Sequence, residues 1–133
     1  MRRHITLTRD LPRRAIARLN AIGVSAAKAQ LWLDRHRIDG CTVAPDLFLP
    51  VCAVHDYLCR SGVVWRNEAD DCGRDLIQIM TSHAIQDSWE SEDELPWRIL
   101  SCAVLALGYP YSYLWWAGVV LGDWLGIGAP EKG

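Results

Sequence analysis

Between Arg98 and Asp123 the chain carries no charge for 24 residues, and this stretch limits what it can fold into more than any other feature. So long an uncharged segment has to lie in a core, against a partner or in contact with lipid. Length alone allows a membrane-spanning helix. Gly108 and Pro110 interrupt the stretch, however, and its aromatic residues (Tyr109, Tyr111, Tyr113, Trp115, Trp116) gather in its middle rather than at the ends where membrane belts lie. The pattern predicts two short apolar helices, Trp97 to Leu107 and Tyr111 to Leu125, that cover the remaining helices or dip into a bilayer surface.

The rest of the 133 residues is long enough for one hydrophobic core. Pro12 opens a helix through Ala15, Ile16 and Leu19 that ends near Gly23, and Ser25 caps a second one through Ala29 and Leu33. These two form a basic helical hairpin, because residues 1–37 hold nine Lys/Arg against Asp10 and Asp34. The remainder is acidic, with fourteen acids against five bases. A basic arm of this kind can sit on anionic phospholipid, on nucleic acid or on the chain's own acidic half. No specific nucleic-acid reader is predicted. The first residues lack the apolar run of a secretory signal. Five cysteines, an odd number, leave at least one thiol unpaired within the chain. Both features place the protein in the cytoplasm or a phage particle.

Two central helices carry the polar residues of interest. One runs from about Pro50 to Arg60, stopped by Ser61-Gly62, with Val51, Cys52, His55, Leu58 and Cys59 on its inner face. The next starts at Asn67 as N-cap and reaches about His83, burying Cys72, Gly73, Leu76, Ile77, Met80 and His83 or Ala84. The acidic segment Gln86 to Glu94 reads as a solvated loop or a helix start. On a helix His55 and Asp56 stand about 100° apart, so they serve different tasks. His55 faces the neighbouring helix, where a carboxylate holding one ring nitrogen would leave the other to take a proton from water. Asp70 lies at the edge of the apolar face and is the candidate carboxylate, whereas Asp71 and Asp75 fall on the polar side. Asp56 turns toward the Asp39 to Thr42 loop, where it would join backbone carbonyls around a hard cation. Cys52 and Cys59 with His55 lack the second ligand pair of a structural zinc site.

Asp39-Gly40-Cys41-Thr42, Cys52-x-x-His55-Asp56 and Arg66-x-x-Ala69-Asp70 occur in order over about a third of the chain. In this order they resemble the phospholipase A2 superfamily, especially its small bacterial and phage-encoded members. The resemblance implies that His55 activates water, Asp70 orients it, and Asp56 holds calcium with the Gly40 carbonyl. It implies hydrolysis of a glycerophospholipid at the sn-2 ester, and it places a disulfide between Cys41 and Cys52. Two departures stand out. Val43-Ala44-Pro45 replaces the further glycines of the calcium loop, and Cys59 stands where a tyrosine usually supports the orienting aspartate.

The expected architecture is a mostly α-helical single domain spanning residues 1–133. It comprises the basic hairpin (1–37), an antiparallel helix pair bearing the His–Asp motif (38–84) and Trp-rich apolar helices (95–127). The leading functional expectation is calcium-dependent, phospholipase A2-like hydrolysis at a phospholipid or membrane surface. The alternative is a catalytically inactive protein of the same fold, acting as a phage structural component or membrane-associated adaptor with phage or host proteins as partners.

Overall fold

The computed structural model describes residues 5–36 and 46–125, and among these it is helical with no strand. Chain order gives α1 (Leu7–Asp10), α2 (Arg13–Ala21), α3 (Ala26–Arg35), a 3₁₀ turn (Asp46–Phe48), α4 (Leu49–Ser61), α5 (Arg66–Trp89), α6 (Leu95–Leu105) and α7 (Gly108–Leu125). The domain is mostly α, as the sequence predicts.

Local chemistry explains most boundaries. Pro12 precedes α2, where a missing N–H costs nothing. The helix stops in a Schellman arrangement: Gly23 takes a φ of 78°, its N–H reaches the Asn20 carbonyl, and the Val24 N–H reaches Leu19. Ser25 caps α3 by accepting from the Lys28 N–H. Pro50 sits in the first turn of α4, and Gly62, with a φ of 71°, ends it.

Tertiary contacts set the remaining boundaries. Helix α1 depends on Gln30 of α3, whose side chain accepts from the Leu7 N–H at 2.7 Å and donates to the Ile5 carbonyl at 2.9 Å. Helix α5 begins after Trp65 rather than at an Asn67 cap and continues past His83 to Trp89. The extra turns are held from α6: Cys102 Sγ contacts the Ile85 carbonyl, and Arg98 donates to the Trp89 carbonyl while its guanidinium covers the Trp89 ring. Thus Gln86 to Trp89, read from sequence as loop or helix start, completes a helix. His83 is exposed on that helix and meets Asp87 at 3.4 Å instead of packing inward.

The core lies among α1 to α5, where Leu7, Leu19, Val51, Val54, Leu58, Leu76 and Ile77 are fully buried. Helix α5 is the spine, with α2, α4, α6 and α7 packed around it. Together α6 and α7 retrace α5 in the opposite direction. The paired positions descend in register: Arg66 with Asp123, Asp71 with Trp116, Gln78 with Ser112, Ser82 with Tyr109, and Trp89 with Arg98. Within α6 and α7, burial falls on Gly108 and Ser112. The charge-free stretch is therefore a cover over α5 that leaves most of its own apolar surface open.

Gly108 lies directly on Thr81, a fully buried residue, and an added methyl group would overlap the threonine side chain. Gly108→Ala should lower stability by about 1–3 kcal/mol through this clash. Gly118→Ala, in the same helix but facing open space, should instead raise it by up to ~1 kcal/mol. Urea unfolding of the two variants checks the opposite signs, and equal effects would contradict the packing of α7 on α5.

Candidate active site

His55 and Asp70 meet across the α4–α5 pair. His55 Nε2 lies 2.6 Å from Asp70 Oδ1, with the histidine side chain 15 % exposed and the aspartate 2 %. The hairpin geometry produces this contact. Gly62 reverses the chain, a short link to Trp65 starts α5, and the inner face of α4 then opposes the first turns of α5. The two neighbouring acids point to other elements, as their helical positions require. Asp71 accepts from Trp116 Nε1 at 2.9 Å, and Asp75 pairs with Arg18 at 2.8 Å.

Further residues complete the cluster. Cys59, one turn after His55 on α4, brings its Sγ to 3.4 Å from His55 Nε2. Asp123 from α7 shares a hydrogen bond with Asp70 and forms an ion pair with Arg66 at 2.7 Å. Trp115 of α7 sets its ring edge-on against His55, 4.8 Å between centroids. Gly73 makes room for that indole, since a Cβ there would overlap Trp115 Cη2. The close approach at Gly73 is made by the Trp115 side chain from α7. Tyr57 is buried against Trp32, away from the histidine.

The electrostatics follow from these neighbours. Burial alone would pull the His55 pKa down, but the bonds to Asp70 and Cys59 outweigh it and hold the value up at about 9. Burial likewise opposes ionisation of Asp70, yet the bonds from His55 and Asp123, with the Arg66 charge, keep its carboxyl below the usual range. Asp123 is pushed up to about 6, first by burial and then by the Asp70 carboxylate. In its protonated form Asp123 donates to Asp70. Cys59 thus leaves Asp70 without a tyrosine on α4, and the second group bonded to the carboxylate is an acid from another helix.

Asp56 stands apart from this cluster. Its carboxylate pairs with Arg60, one turn along α4, at 3.2 Å. Gly40 and the rest of the loop expected to complete a calcium site lie outside the described residues, as does Cys41. Among the described residues Asp56 therefore offers one carboxylate toward calcium, fewer oxygens than that ion takes. Cys52 is disulfide-bonded, while Cys59, Cys72 and Cys102 are free thiols.

Periodicity located His55 and Asp70 but missed Asp123, Trp115 and the contact of Cys59 with the imidazole. A signal for Asp123 was present. It is the first charge after the uncharged stretch, and a lone acid at the end of an apolar helix needs a partner. No family model, curated protein or solved structure matches this chain.

Because the folded pKa of His55 exceeds its unfolded value, the contribution of the ion pair is complete below about pH 6.5 and lost as pH rises through about 9. The separation corresponds to a loss on the order of 3 kcal/mol. Urea unfolding from about pH 6 to about pH 10 should show this decline in the wild type and a flatter profile in His55→Gln. Parallel profiles would contradict the ion pair.

Proposed function

We propose that this chain is a phospholipase A2-like protein that hydrolyses phospholipid acyl esters with water activated by His55. The observation that carries the reading is the buried 2.6 Å contact between His55 Nε2 and Asp70 Oδ1. With Nε2–H donating to Asp70, the neutral ring has the tautomer that leaves Nδ1 free to take a proton from water. Asp70 favours the imidazolium, so the working neutral form grows with rising pH. Asp123 and Arg66 hold Asp70 in place. Calcium would be held by Asp56 with the Gly40 carbonyl, and when bound it would polarise the ester carbonyl.

The outer surface supports a lipid-facing role. Residues Leu95–Leu125 form a nearly continuous helical run of 31 residues, with mean hydropathy 1.2 in their most apolar window and 11 % of that window buried. The run is long and apolar enough to cross a membrane by length and composition. It is bound lengthwise to α5, which carries Arg66, Asp70, Asp71, Arg74 and Asp75, and hydrocarbon would not accept that partner. The arrangement suits a helix lying in the interface, with Trp97, Leu100, Val104, Leu114, Leu121 and Trp124 turned outward. The basic α2–α3 hairpin would add attraction to anionic headgroups. In this reading the protein is peripheral on a membrane, in the cytoplasm or a phage particle.

A second reading rests on Trp115. Its edge-on contact covers the imidazole with a side chain, which favours a non-hydrolytic protein of the same fold that uses the apolar face of α6 and α7 as an interface with phage or host proteins.

Purified protein incubated with mixed phospholipid liposomes, with calcium or with chelator, decides between them when free fatty acid is followed by mass spectrometry. Release should require calcium, and His55→Gln and Asp70→Asn should each lower it by about 10²–10⁴-fold. Asp56→Asn should raise the calcium needed for half-maximal release. No release from any lipid by the folded protein would favour the second reading.

A further inference from the structure

We propose that His55, Cys59 and Asp70 form a binding site for a thiophilic divalent cation, zinc or its cobalt surrogate, separate from the calcium position proposed at Asp56. These three side chains offer an imidazole nitrogen, a sulfur and a carboxylate oxygen, all within 4.8 Å of one another. Their chemistry differs from that of an all-oxygen site. Sulfur and imidazole donors prefer zinc or cobalt, whereas calcium and magnesium take oxygen.

The distances suit such an ion. Around tetrahedral zinc, a nitrogen at about 2.0–2.1 Å and a sulfur at about 2.3 Å stand roughly 3.5 Å apart. His55 Nε2 and Cys59 Sγ are 3.4 Å apart, placed on one face by their four-residue spacing along α4. Asp70 Oδ1, now 2.6 Å from Nε2, has to retreat by roughly 0.8 Å to share the ion. The Cys59 thiol is free and buried, so it is shielded from solvent yet available as a ligand. Asp123 and Arg66 stand behind the Asp70 carboxylate, the kind of outer support that fixes a metal ligand. Three protein ligands leave a fourth position for water or another small donor.

Binding replaces the proton between His55 and Asp70 with the metal. From the protonated ring, the Nε2 proton and the Cys59 thiol proton pass to solvent while Nδ1 keeps its proton, and no redox change occurs. The site stands on the three side chains alone, but its consequence rests on the hydrolytic reading. A metal on Nε2 leaves the ring's remaining proton on Nδ1, which then has no lone pair to take a proton from water, so zinc would act as an inhibitor competing with the dyad.

Cobalt titration of the purified full chain, with thiol titration showing Cys59 reduced, tests the site directly. One equivalent of cobalt should give the visible bands of a tetrahedral ion and a thiolate charge-transfer band. Zinc should erase both, and excess calcium should not. Cys59→Ser should lose the charge-transfer band and weaken cobalt binding by more than the roughly 10–100-fold loss typical of an outer-shell partner. Cys72→Ser and Cys102→Ser should behave as wild type. No bands from the folded wild type, or a charge-transfer band surviving in Cys59→Ser, would overturn the site. Liposome hydrolysis with and without zinc forms the second arm. Hydrolysis unaffected at saturating zinc would overturn the inhibitory role. Cobalt bands from a protein that releases no fatty acid would sink the hydrolytic reading while supporting the metal site.

Discussion

A carboxylate buried on an apolar helix face survives only if partners reach it from outside its own helix. Asp70 recruits them from both sides: His55 comes from α4, and Asp123 comes from α7, itself anchored by Arg66. That requirement ties three helices together at one point. It fixes the register of α4 against α5 and the place where the end of α7 returns to the start of α5. Much of the remaining architecture follows from the return, because α6 and α7 then have to run the whole length of α5.

The return also explains an apparent conflict in the composition. A stretch without charge would ordinarily be the core of a small domain, yet here the core belongs to α1 through α5. Helices α6 and α7 adhere through small residues and polar side chains instead. Gly108 and Gly73 permit close approach, and Ser112, Tyr109 and Trp116 form hydrogen bonds to α5. Such a seam needs little apolar surface, so the large side chains stay on the outside. The consequence is a soluble-looking charged inner partner joined to an outer face that water does not favour.

The sequence disclosed what repeats along a helix. Val51, Leu58, Leu76 and Ile77 mark the inner faces of α4 and α5, and the same periodicity separates Asp70 from Asp71 and Asp75. It therefore yields the His55–Asp70 pair before any coordinates. Features that depend on distant residues were not legible in this way. Helix α1 exists because Gln30 satisfies Leu7 and Ile5, and the last turns of α5 persist because Cys102 and Arg98 meet them. Trp115 reaches the imidazole from some sixty residues away in sequence, which no local pattern encodes. His83 shows the limit of periodicity near a helix end, where the packed face drifts as the neighbouring element changes from α4 to α6.

Gly73 joins two properties that are usually separate. The hydrogen in place of a side chain there is what lets the Trp115 indole settle, and the same indole shields His55. A single methyl group at this position would act as a wedge between α5 and α7, and the first thing it would uncover is the imidazole. Evolution could thus adjust how readily solvent reaches the histidine by changing a residue that makes no polar contact with it. The dial for access to the site lies one turn away from it, in a residue with no chemistry of its own.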